Sequence, residues 1–315
     1  MFDFRVKRTT RHGRVPSVRH RRAPSHLLLA GYGGCLRPDD DRPGRRREAC
    51  PMDPSTTPVR RPPALPARAR ALRPAERLCL TTGLLLVLAG LAHLVVFAVD
   101  GGPWYGPVSW RKPVTFGLSF GATLLAVTWV TSYVRLGART RALLLGVFAA
   151  DCVVEVGGIT LQAWRGVPSH LDMETPFDTA VSMTLAAGGG VLVVVLTVFA
   201  VASFRHRPAG PAGMALAVRA GFAVLLVALV SGAAMIARGV VLTRTGHQQA
   251  AYHSTAPLKP LHGVSLHAVL VLPALAWLLS RTSWSEPVRR WIVTGAVLAY
   301  AAAVAGAGVW AALGY

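Results

Sequence analysis

The chain has 315 residues, of which 52% are hydrophobic and only 15% charged, and its formal net charge is +20. Of its 34 Lys and Arg residues, 19 lie in residues 1–78, so the remaining 237 residues are long apolar runs separated by short charged breaks. That segregation excludes a soluble two-domain protein and a nucleic-acid binder, and it reads as a basic tail followed by a polytopic helical membrane domain.

Residues 1–78 are Arg- and Pro-rich without sustained apolar periodicity, and a disordered tail is expected there. Their best apolar piece, Leu27 to Ala30, is too short for a signal segment or a span. Met52 opens an ordinary short basic leader, so residues 1–51 are expected to be translated upstream sequence. The absence of Asn and the excess of Arg over Lys suggest a GC-rich bacterial genome. The expected location is accordingly a bacterial cytoplasmic (inner) membrane, with the lipid bilayer as the main partner.

Seven apolar segments follow, near 80–99, 113–134, 142–164, 177–204, 214–243, 261–280 and 290–313. Each is long enough to cross a roughly 30 Å hydrocarbon core as a helix, and backbone groups in lipid must be satisfied within the segment. The expected fold is therefore all-α, a bundle of about seven transmembrane helices. With the N-terminus inside, the inner loops hold eight arginines, and the outer loops hold Arg111, Lys112, Arg165, Arg244 and Lys259. This charge bias and the tail put the N-terminus inside and the C-terminus outside. Ala186–Gly190 in the fourth span and Ala301–Gly308 in the seventh are small-residue stretches expected to permit close helix packing as scaffold.

The third span is unusual because it carries Asp151, Glu155 and Gln162. At 3.6 residues per turn these three side chains fall within about 40° of one another on the helix. Ionisable groups in an apolar span face a protein interior or a wet cavity, so this polar stripe leads the search for function. The stretch ends in Arg165-Gly-x-Pro-Ser-His170, where Pro168 ends the helix and Ser169 and His170 are expected to fold back over the mouth. Asp178 is expected at the N-terminal end of the fourth span.

Under the expected topology, His93, His170, His262 and His267 converge on the outer half of the membrane, together with Arg165 and Arg238. Glu155 and Arg238 are a candidate buried pair. His262 and His267 are about 140° apart around a helix, so a regular helix does not present both to one ion. Cys35, Cys50, Cys79 and Cys152 have no metal or redox spacing, and no HEXXH site or glycine-rich phosphate loop is present.

WRKPVTFGLSF (110–120), QAWRGVPSH (162–170) with TPFD (175–178), and LHGVSLHAVLVLP (261–273) resemble a family of bacterial multi-pass membrane proteins. The shared blocks are KPxxFxxS, RGxxSH and HGxxxHxxxxLP, and they cover the membrane part from the first span to the sixth. The resemblance implies the architecture and carries no assigned activity. It departs at Val269–Val271, where the family has Gln.

Three functional expectations follow. In the sharpest, an outward-facing polar cavity binds haem or quinone: His93 and His267 clamp a haem, and Arg165 or Arg238 pairs with its propionates. The second is a proton- or cation-coupled small-solute transporter in which Asp151 and Glu155 are the ion sites and Arg165 and Arg238 clamp a substrate. The third is a non-enzymatic sensor or assembly partner in which the polar residues fix helix register.

Overall fold

The computed structural model describes residues 72–314, so the expectations for the basic tail lie almost entirely outside the described residues. The described residues form helices α1 (Pro74–Asp100), α2 (Arg111–Val130), α3 (Ala138–Trp164), α4 (Pro176–Arg205), α5 (Met214–Arg244), α6 (Gln248–His253), α7 (Lys259–Leu266), α8 (Ala268–Leu279) and α9 (Glu286–Leu313). A 3-10 turn, Thr131–Tyr133, follows α2, and no strand occurs among the described residues. Seven helical spans are long and apolar enough to cross a membrane, in the order expected from the sequence.

The sixth span departs from expectation. Instead of one continuous helix it is two, α7 and α8, interrupted at His267. Pro273 lies inside α8. A proline there has no N–H to give the carbonyl of residue 269, yet α8 runs on through it, and the backbone at His267 itself stays in the helical region at φ −85° and ψ −9°. His267 Nδ1 lies 2.8 Å from the Gly263 carbonyl and binds it across the interruption.

Glycines set the tightest helix pair. An added Cβ at Gly117 would lie 2.8 Å from Gly90 Cα, and one at Gly121 would lie 2.6 Å from the Gly83 carbonyl oxygen. Backbone therefore meets backbone between α1 and α2, as small residues allow where lipid supplies no hydrophobic drive between helices. Arg141 joins this pair to α3. Its guanidinium donates to the Thr131 and Thr128 carbonyls at 2.8 and 3.0 Å and pairs with Glu76 at 3.2 Å. It thus adds a charged donor to carbonyls at the end of α2 that also accept from the Val134 N–H and the Thr131 hydroxyl. Beyond α3 the bundle continues through α4 to α5, which packs against α4, α7, α8 and α9. Phe148, Phe199 and Phe222 are large side chains buried in the shared core.

Of the two small-residue stretches, the one in α4 brings a glycine into close contact and the one in α9 does not. In α9 an added Cβ at Gly306 or Gly308 meets nothing within 4 Å, and only Val293 and Ala311 are buried along that helix. The stripe faces away from the bundle. In α4, Gly189 and Gly190 are likewise open, whereas Gly188 is in close contact with α3. Overpacking a tight contact costs about 1–3 kcal/mol. Gly121→Ala is therefore expected to lower the unfolding temperature in detergent, while Gly306→Ala leaves it unchanged or slightly raised; equal effects would contradict the packing described.

Candidate functional site

Asp151 and Glu155 stand one turn apart near the middle of α3, only 8% and 3% exposed. A Cβ added to Gly188 of α4 would lie 2.5 Å from Glu155 Oε1 and 2.8 Å from Asp151 Oδ1. Both carboxylates thus converge on one point beneath the Gly188 backbone, and any larger residue there would collide with both. Among the described residues neither carboxylate has a hydrogen-bonding or ion-pair partner, and Asp151 Oδ2 is buried without one. Two anions side by side out of water repel strongly, so this arrangement calls for a proton or a cation between them. Arg238 is exposed on α5 with an interaction of its own, and no Glu155–Arg238 ion pair occurs among the described residues.

Gln162 shares the face of Asp151 and Glu155 but belongs to a separate cluster. Its Nε2 donates to Asp178 Oδ1 at 2.9 Å, and its Oε1 accepts from Arg165. Arg165 Nη1 also reaches Asp178 Oδ1 at 2.5 Å, and the guanidinium lies 4.6 Å from the Phe177 ring centre. Thr175 completes the cluster, donating to Asp178 Oδ2 at 2.5 Å and accepting the Asp178 N–H at 3.1 Å as the N-cap of α4. Arg165 is therefore engaged through Nη1 in a joint between α3 and α4.

The four histidines do not share a site. Trp164 Nε1 donates to His93 Nε2 at 3.1 Å, which leaves His93 Nδ1 to donate to the Ala89 carbonyl at 2.7 Å. Both nitrogens of His93 are thus occupied within an aromatic group with Trp110 and Trp164. His262 ties α7 to α5 through Nδ1 and the Ala228 carbonyl, 2.8 Å apart. His267 is exposed at the break in the sixth span. α1 packs on α2 and α3 while α7 and α8 pack on α5, so the expected His93–His267 clamp has its donors on helices that are not neighbours. No group of three or more His, Cys, Asp or Glu side chains arranged to hold a metal occurs among the described residues.

His170 occupies the loop between α3 and α4. Its Nδ1 lies 3.0 Å from Ser169 Oγ, its ring 5.8 Å from that of Phe116, and Lys112 Nζ approaches Ser169 Oγ at 3.4 Å. The loop packs against Lys112 and Phe116 of α2, and the next residue secures it. Leu171 has φ 64°, a left-handed conformation that disfavours a branched residue, yet it is buried. Its side chain fills the space over Gly239 of α5, and its carbonyl accepts from Gln248 Nε2 at 2.6 Å. In the sequence nothing marks Leu171, Gly239 and Gln248 as partners.

Searches against protein-family models, curated proteins and solved structures found no match to this chain.

Burial first, and then the Lys112 charge, push His170 from the ordinary 6.5 down to about 4. Between those values the unfolded chain binds more protons than the folded one, so stability is complete above the unfolded value and is lost as pH falls toward the folded one. Unfolding temperature is expected to drop on acidification through this window, and less steeply in His170→Gln; parallel pH profiles for the two proteins would show that His170 is not responsible.

Proposed function

We propose that this is a multi-pass membrane protein in which the Asp151–Glu155 pair binds one proton or small cation at a time, coupling that ion to the movement of a small solute. The convergence of two buried, unpartnered carboxylates on Gly188 carries the reading. Charged groups near mid-membrane are costly and mark ion pathways or proton relays. An unpaired, unneutralised carboxylate there would cost several kcal/mol.

Haem or quinone binding by the histidines has less support, because His93 is fully engaged and His267 faces outward. The protein sits in a bacterial inner membrane with its N-terminus inside, an orientation supported by the loop arginines. The described α2–α3, α4–α5 and α8–α9 connections then lie on the inner side, and the resemblance to a bacterial multi-pass family is consistent with this location.

The test needs no knowledge of the solute. Proteoliposomes adsorbed on a solid-supported electrode are subjected to jumps in proton, sodium or potassium concentration. The wild-type protein is expected to give a transient charge movement with at least one of these ions. Asp151→Asn and Glu155→Gln should each abolish it, and Gly188→Leu, which fills the point between the carboxylates, should do the same. A transient that survives in the Asp151→Asn/Glu155→Gln double variant would refute the assignment.

A further inference from the structure

At the opposite end of α3 from the Arg165–Asp178 joint, a cavity of about 710 Å³ opens between the start of α1, the turn after α2 and the first residues of α3. Arg73 and Arg135 line it together with the apolar side chains Leu72, Val134 and Leu136. Glu76 and Arg141 also line it, but they neutralise each other across 3.2 Å. Glu76 is further occupied in accepting the Arg73 backbone N–H at 3.0 Å. The charge left facing the cavity is therefore that of Arg73 and Arg135, and it is positive.

The backbone adds to this field. α3 begins at Gly137, which lines the cavity and offers no side-chain cap, and its first turn carries no acidic residue. The first amide N–H groups of that helix lack intrahelical acceptors and bear its positive dipole end. Arg73 and Arg135 line the same cavity as that terminus, and guanidinium groups suit a tetrahedral oxyanion, since Arg matches phosphate geometry through paired N–H donors. The cavity's apolar wall sits where α1 enters and α2 leaves the membrane-length part of the bundle. A ligand with a phosphate and an attached apolar portion would match both walls.

We propose that this cavity is a phosphate-binding site at the membrane boundary, taking either the headgroup phosphate of an anionic lipid or a free phosphate. Binding there bridges α1 to the α2–α3 turn, so an occupied site stabilises the fold by mass action. The site is independent of the carboxylate pair and does not rest on the transport reading.

The test places the full chain in nanodiscs of phosphatidylcholine alone, of phosphatidylcholine with phosphatidylglycerol, or of phosphatidylcholine with inorganic phosphate added. The unfolding temperature is read in each. Phosphatidylglycerol is expected to raise it by several degrees in the wild type and in Arg207→Gln, a charge removed from the neighbouring α4–α5 loop outside the cavity. The rise should vanish in Arg73→Gln/Arg135→Gln and shrink in the single variant Arg135→Gln, which alters an exposed side chain and serves if the double variant does not fold. A rise with inorganic phosphate alone, dependent on the same two arginines, identifies free phosphate as the ligand. No rise with either probe, or a rise that persists when Arg135 is replaced, overturns the proposal.

Discussion

The close approach of α4 to α3 at Gly188 is the constraint on which the interior depends. A side chain at that position would hold the helices apart and let water or lipid reach Asp151 and Glu155. With glycine there, both carboxylates are enclosed and face the same point. Two unit charges about 4 Å apart interact by about 4 kcal/mol even at an effective dielectric of 20. Enclosure thus turns two ordinary acids into a site that must be neutralised, and it makes the identity of residue 188 as important as that of the acids.

The rest of the bundle holds that contact in place. α1 and α2 form a rigid pair through Gly83, Gly90, Gly117 and Gly121, and Arg141 fastens the start of α3 to it. The far end of α3 is fixed by the Gln162–Arg165–Thr175–Asp178 cluster, which also starts α4. Fixed at both ends, α3 has little freedom to rotate its acids away from Gly188. The part built with most discontinuity is the sixth span, where α7 and α8 meet at His267 against α5.

The seven spans were legible because length and hydropathy alone determine what can cross a bilayer. The break at His267 was not, since averaging over a window hides a single residue. Helical periodicity correctly put Asp151, Glu155 and Gln162 on one face. It did not register that Gln162 lies seven residues, or about 10 Å, along the axis from Glu155, within reach of Asp178 instead. The expected histidine cluster failed for a related reason. Topology assigns each residue a depth, but the neighbours of its helix decide what it meets, and α1 and α7 are not neighbours. From sequence alone Gly188 is scaffold, because a sequence shows a small residue without showing what lies opposite it.

The most direct test of the central claim is the infrared spectrum of the purified protein in a buffer whose only cation is bulky, such as choline. If the pair cannot carry two bare charges, the wild-type protein at neutral pH will show an undissociated carboxyl band that is absent from Asp151→Asn/Glu155→Gln. Adding the small cation that gives the charge movement, if it is not the proton itself, should then remove the band. Identical carboxyl spectra in the wild type and the double variant would contradict the account.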